Sequence, residues 1–241
     1  MKLLSRLLIP FQRNRTAQRS TIYEIFTRNR RKDIHKWHHY FAAYETYLAP
    51  FRMQPITVLE IGLWRGGSLR MWREYFGPRT RICGIDIDPT AATFERDGYD
   101  IYIGDQADRQ FLRHVREEIG QIDIVIDDGG HTMSQQVNAF EELYPVTKHL
   151  YIVEDTHTSY WPAFQDRAAG TFMEYAKGKA DALSEWHLQP ESWNTYAIPP
   201  THRTKSVAVS QFCAETRAVH FYDSMVVFEK GENMPRWHEI R

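Results

Sequence analysis

Residues 122–131 read IDIVIDDGGH, and residues 150–155 repeat the pattern as LYIVED. Each is a run of β-branched and aliphatic residues that stops at two adjacent acids. A short, continuous apolar run of this kind fits a strand buried on both faces, as in a parallel sheet covered by helices. A strand that stops at carboxylates delivers them to the sheet edge where open α/β folds keep their ligand crevice. Asp127, Asp128, His131, Glu154 and Asp155 are therefore expected to converge on one spot. The chemistry expected there is a divalent metal beside the reacting hydroxyl of a substrate.

Outward from these two runs the same rhythm continues. Upstream, Thr57–Ile61 is a strand that runs into Gly62, Gly66 and Gly67, followed by a helix over 68–76. Residues 81–87 form a second strand ending in Asp86-Ile87-Asp88-Pro89, and Asp100–Ile103 a third, with Gly104-Asp105 at its end. A helix over 111–119 precedes the strand 122–126. Downstream, Val137, Phe140 and Tyr144 mark an amphipathic helix over 134–144 that Pro145 stops, and 149–153 is the fifth strand. Five strands alternating with helices predict an α/β fold, a mostly parallel sheet with helices on both faces.

The flanks differ. In residues 34–51, Trp37, Tyr40, Phe41, Tyr44, Tyr47 and Leu48 fall at helical spacing and predict a packed amphipathic helix. Toward the C-terminus we expect a helix over 164–182, a long loop over 185–204 and a helix over 206–216. Residues 218–230, AVHFYDSMVVFEK, hold two apolar runs split at Asp223-Ser224 and predict a closing antiparallel hairpin.

Length and composition bound the rest. With 241 residues, 42% of them hydrophobic, the chain suits one globular domain with short extensions. Its net charge of −1 argues against a nucleic-acid binder on bulk electrostatics. Residues 1–32, however, hold nine Lys/Arg against Glu24 alone, a charge of +8 that leaves −9 for the remainder. We divide the chain accordingly into a basic arm, 1–32, with short amphipathic helices over 2–8 and 20–28, and a catalytic domain, 33–241. A solvated arm is the simpler reading, and peripheral contact with an anionic membrane surface is the alternative. Cys83 and Cys213 form no CxxC pair, which fits a reducing, cytoplasmic setting. No apolar run approaches the roughly 20 residues that span a bilayer.

Three strand ends point to a cofactor. In residues 58–68, VLEIGLWRGGS, the strand carrying Glu60 turns at Gly62 and Gly66 and enters a helix at Ser68, a cradle in which backbone N–H groups can approach a ligand. The spacing is not GxGxxG, so a dinucleotide is not favoured. Asp86, 24 residues past Gly62 at the end of the next strand, is placed to accept hydrogen bonds from a ribose diol, and Asp105 to lie beside an adenine.

The series Gly62, Asp86, Asp105 resembles the S-adenosylmethionine site of class I methyltransferases. With DDGGH, the VED of 153–155 and Thr158-Ser159-Tyr160-Trp161, the chain is similar over roughly residues 33–231 to the metal-dependent sugar O-methyltransferases of macrolide and related polyketide pathways. The resemblance implies a Rossmann-like fold with a seven-stranded sheet, and S-adenosylmethionine and Mg²⁺ as cofactors. It further implies Asp128, Glu154 and Asp155 as metal ligands, His131 as general base, a glycoside or glycan as acceptor and assembly into a homo-oligomer. Asp127 receives no role. The macrolide enzymes carry a further N-terminal domain, where this sequence has the basic arm.

The residue types suit this chemistry independently. Three carboxylates form a hard oxygen site for Mg²⁺ or Ca²⁺, and coordination acidifies a hydroxyl and fixes its oxygen toward a methyl donor. A histidine can then take the proton near neutral pH. Tyr160 and Trp161 can stack on a sugar face or simply pack, and His38, His39 and Tyr40 can close over the cofactor or belong to the core. The alternatives are methylation of a catechol-like diol and a cofactor-binding scaffold without turnover.

Overall fold

The computed structural model describes residues 20–31, 33–188, 196–203 and 207–241. The first helix expected in the basic arm, and part of the long loop expected over 185–204, lie outside the described residues. The arm's second helix is α1 (Ile22–Arg28), begun by a capping box in which Thr21 and Glu24 satisfy each other's backbone N–H groups. Ile22 and Ile25 are buried in the core, so this end of the arm is packed on the domain.

The strands are β1 (Thr57–Ile61), β2 (Arg81–Asp86), β3 (Asp100–Ile103), β4 (Ile122–Asp127), β5 (Thr147–Val153), β6 (Thr216–Tyr222) and β7 (Met225–Lys230). They form one sheet in the order β3-β2-β1-β4-β5-β7-β6, in which β7 alone runs against the others. The expected hairpin is therefore present, turning at Asp223-Ser224.

Period-two alternation in the buried strands divides the core. Val58, Ile82, Ile124, Ile126, Leu150 and Ile152 face α1, α2 (Tyr40–Leu48) and α3 (Gly67–Phe76). Leu59, Cys83, Val125, Tyr151 and Val153 face α4 (Arg109–Ile119), α5 (Met133–Leu143) and α6 (Phe172–Ala182). A register shift between Ile122 and Ile124 in β4 puts Ile122 on the second face with Val125.

Local signals set the helix starts. Asp108 accepts from two N–H groups at the head of α4, and Thr132-Gln135 and Thr171-Glu174 form capping boxes at α5 and α6. Three expected helices, over 34–51, 164–182 and 206–216, are shorter than expected. Residues 33–39 form no helix, because their side chains are held by groups on other elements, and α2 begins only at Tyr40. The helix expected from 164 begins at Phe172, past Gly170 with its φ of +95°. The last helix, α7, covers Gln211–Glu215. None of the described helices is long and apolar enough to cross a membrane.

Candidate active site

A cavity of about 480 Å³ is lined by residues that follow the C-terminal ends of β1 to β5, among them Gly62, Asp86, Asp105, Asp128 and Asp155. It therefore lies across the β1/β4 junction, where the strand order reverses and open α/β sheets bind their ligands. Two loops cross there. Gly62 has φ +85°, and a Cβ on it would stand inside the carbonyl oxygen of Asp128. Only glycine lets the first loop pass beneath the fourth.

The glycine-turn half of the cavity is bordered by Asp86 and Asp105. Asp86 Oδ2 accepts from the N–H groups of Leu63 at 2.7 Å and Trp64 at 3.1 Å, and Oδ1 accepts from Asp88 at 2.9 Å. It thus anchors the glycine turn from the neighbouring strand, and a carboxylate's roughly four lone-pair sites leave acceptor capacity for a ligand. Asp105 borders the cavity and closes a turn on the Ala107 N–H at 2.8 Å. Ser68 also borders it. Glu60 does not: fully buried below, it accepts from Ser68 Oγ at 2.8 Å and Trp72 Nε1 at 2.9 Å, which positions the head of α3. Gly66 packs against the Phe94 ring, where any side chain would collide, and does not border the cavity.

In the acid half, an oxygen of Asp128, an oxygen of Asp155 and a ring nitrogen of His131 all lie within 4.8 Å of one another. His131 Nε2 is 3.8 Å from Asp128 Oδ1 and 3.5 Å from Asp155 Oδ2. The two carboxylates are hard oxygen donors that fit a divalent cation such as Mg²⁺, and the imidazole stands beside them. Both His131, at φ +61°, and Asp155, at φ +52°, sit in the left-handed region, which costs a non-glycine residue on the order of 1–3 kcal/mol. The surroundings hold them there: Thr158 Oγ1 donates to the His131 carbonyl at 2.9 Å, and the Tyr40 hydroxyl meets both ends of Asp155. Burial lowers the His131 pKa, favouring the neutral imidazole. Its Nδ1 is buried and has no partner among the described residues.

Glu154 lies apart from this trio. It is 1% exposed, both its oxygens accept from Lys36 Nζ at 3.0–3.1 Å, and Tyr44 donates to Oε1. Burial and the charge of Asp128 push its pKa up, against the Lys36 ammonium. Burial works to lower the Lys36 pKa, but the charges of Asp128, Glu154 and Glu60 more than offset it and raise it. Asp127, which had no expected role, is a buried fastener. It accepts from Gln106 Nε2 at 2.7 Å, and Gln106 Oε1 accepts from the Gly130 N–H at 2.9 Å, which sets the DDGGH turn. Burial pushes the Asp127 pKa up to about 7.

Lys36, Tyr44 and Gln106 are thus parts of the site that the motif reading did not name, and Tyr40, expected over the cofactor or in the core, is buried and holds Asp155. His39 Nε2 meets the Asp223 carbonyl at 3.1 Å, so the segment before α2 is tied to the hairpin turn. After β5, His157 meets Trp37 and Trp161 edge to face, with centroids 5.8 and 4.6 Å apart, and both tryptophans stay about half exposed.

No family model matches the chain. Among curated proteins, it is 38% identical over 212 residues to 8-demethyl-8-alpha-L-rhamnosyl tetracenomycin-C 2'-O-methyltransferase of Streptomyces olivaceus, covering 82% of this chain and 52% of that one. It is 32% identical over 218 residues to mycinamicin VI 2''-O-methyltransferase of Micromonospora griseorubida, covering 83% and 51%. Among solved structures, a methyltransferase from the mycinamycin biosynthetic pathway, in complex with Mg, SAH and mycinamycin VI, superposes with a TM-score of 0.75 at 28% identity, covering 92% of this chain and 56% of that one. The chain spans about half the length of the curated relatives it matches.

Proposed function

The chain has the class I methyltransferase fold and is a relative of sugar O-methyltransferases, and from that premise we propose that it carries out metal-dependent methyl transfer from S-adenosylmethionine to a sugar hydroxyl of a glycosylated small molecule. One observation carries this reading. The glycine turn with Asp86 and Asp105, and the trio Asp128, His131 and Asp155, border one and the same cavity. A cofactor cradle and a hard-cation site facing each other across about 480 Å³ suit a donor and an acidified acceptor oxygen held side by side.

In this reading Gly62 and Ser68 admit the donor's tail along the head of α3, Asp86 receives the ribose hydroxyls, and Asp105 lies beside the base. Asp128 and Asp155 present oxygens to Mg²⁺, which when bound would acidify the acceptor hydroxyl and fix its position. Glu154, beside Asp155 at the end of β5, is the third acid of this set. His131, neutral and beside both acids, takes the acceptor's proton. Trp37, Tyr160 and Trp161 are exposed, with Trp37 and Trp161 both packed on His157, and offer apolar faces to a sugar or the group it is attached to. The relatives' activities, on rhamnosyl and mycinamicin glycosides, favour a sugar over a catechol-like diol.

Calorimetry with S-adenosylhomocysteine, followed by a methyl-transfer screen on rhamnosylated polyketides with Mg²⁺ or with chelator, tests this. Cofactor binding with chelator-sensitive methylation is the expected result. Failure to bind the cofactor refutes the methyltransferase reading, and binding without transfer to any diol points to a scaffold.

A further inference from the structure

The turn after β1 carries a tryptophan at a position where glycine would be free of strain. The Gly66 N–H donates to the Leu63 carbonyl at 2.7 Å and closes a β-turn around Trp64 and Arg65. Trp64, the first central residue, has φ +45°, and Arg65, the second, is not at positive φ. Type II′ turns have this pattern and give their first central position to glycine. A glycine cradle also tends to repeat its glycine two positions on, and two positions past Gly62 stands the largest of all side chains. A bulky residue at positive φ is an outlier of the kind that gathers at ligand sites.

The neighbours decide where the indole goes. Leu63 is buried and turns inward onto Gly84, where a Cβ would collide with the leucine's methyl carbons. Trp64 borders the cavity instead and is 57% exposed. Its N–H donates to Asp86 Oδ2 at 3.1 Å, which ties the strained residue to the carboxylate proposed for the ribose hydroxyls. The Arg65 guanidinium lies 4.7 Å from the indole centroid and backs the ring. Ile87, the residue after Asp86, borders the same cavity and is 66% exposed. Core packing does not account for a strained residue whose side chain is more than half uncovered.

We propose that Trp64 is a cofactor-binding residue whose indole closes over the nucleoside of S-adenosylmethionine, with Arg65 against the ring and Ile87 completing an apolar mouth. The left-handed backbone is then the condition for placing an aromatic ring where a glycine would leave an opening. Binding would withdraw apolar surface of Trp64 and Ile87 from water, a contribution to affinity that the hydrogen bonds of Asp86 do not supply. The proposal rests on the methyltransferase reading above and concerns the donor rather than the acceptor.

The test uses S-adenosylhomocysteine as probe on the full chain, by calorimetry and by tryptophan fluorescence, with thermal melts alongside. Trp64→Gly should melt at or above the wild-type temperature, because glycine holds positive φ without strain. It should nevertheless bind the probe about tenfold more weakly, the usual loss when an aromatic partner of a base is removed. Trp64→Phe should keep affinity within about threefold, since a phenyl ring still covers the nucleoside, yet show a smaller fluorescence change on binding than the wild type. Wild-type affinity in Trp64→Gly, or an undiminished fluorescence change in Trp64→Phe, overturns the proposal. A Trp64→Gly protein that melts well below the wild type overturns it too, by showing that the indole serves the fold. A wild type that does not bind the probe refutes the methyltransferase reading beneath, a different failure from variants that bind as the wild type does.

Discussion

The Tyr40 hydroxyl accepts the Asp155 N–H at 3.0 Å and lies 2.7 Å from the Oδ1 of the same residue, with the Ser224 carbonyl at 2.9 Å. One phenol thus holds both the backbone and the carboxylate of a residue at positive φ. Tyr40→Phe should lower metal-dependent activity by about 10- to 100-fold, the range for loss of a group that orients a ligand. It should also cost about 1–3 kcal/mol of stability from the amide left unpaired. Steady-state kinetics at varied Mg²⁺ with a denaturant melt would check both. Unchanged metal dependence would return Tyr40 to plain packing.

His131→Ala should keep S-adenosylhomocysteine affinity and lose about 10²–10⁴-fold in single-turnover rate, the usual contribution of a positioned base. Equal rates in variant and wild type would remove His131 from the chemistry.

Gly62→Ala places a methyl group where the Asp128 carbonyl lies and asks alanine to hold φ +85°. A penalty of at least about 2 kcal/mol is expected from conformation and overlap together. The variant should lose cofactor binding and metal binding at once, because the displaced loop carries Asp128. Calorimetry with each ligand separately distinguishes this from damage to one half of the site.

Glu60 gives a pH signature. Burial pushes its pKa up to about 7, against the pull of Lys36, Trp72 and Ser68, whereas an unfolded glutamate titrates near about 4.3. Between these values the folded chain holds a proton that the unfolded chain lacks. Its stabilising effect is complete at low pH and is lost as pH rises through about 7. Glu60→Gln should therefore show a smaller fall in melting temperature between about pH 5 and about pH 8 than the wild type. Parallel slopes in the two proteins would show that Glu60 is ionised throughout.

The strand ends were legible because buried parallel strands are continuous apolar runs and their terminal acids and glycines stand out against them. The division between Glu154 and Asp155 was legible in principle too. Period-two alternation puts Leu150, Ile152 and Glu154 on one face, so adjacent acids that look equivalent in a motif diverge in space. Lys36 was not legible. It meets its partners across 92 and 118 residues of sequence, and a lone lysine carries no pattern. The helical spacing at 34–39 misled for the same reason, since the anchors that hold those residues out of a helix sit on other elements.

The hairpin turn carries a consequence for how the molecule comes into being. The Ser224 carbonyl takes the Thr156 N–H at 3.0 Å and lies beside the Tyr40 hydroxyl, and the Asp223 carbonyl takes His39. These contacts join residues on either side of the acids to a segment made after them. During synthesis on the ribosome the first five strands emerge before the turn exists, so Asp155 is seated only when β7 inserts between β5 and β6. The seating of Asp155 would then come in a single step after β6 is made, and a nascent chain cut short of Ser224 would bear every acid of the motif yet lack the clamp that gathers them.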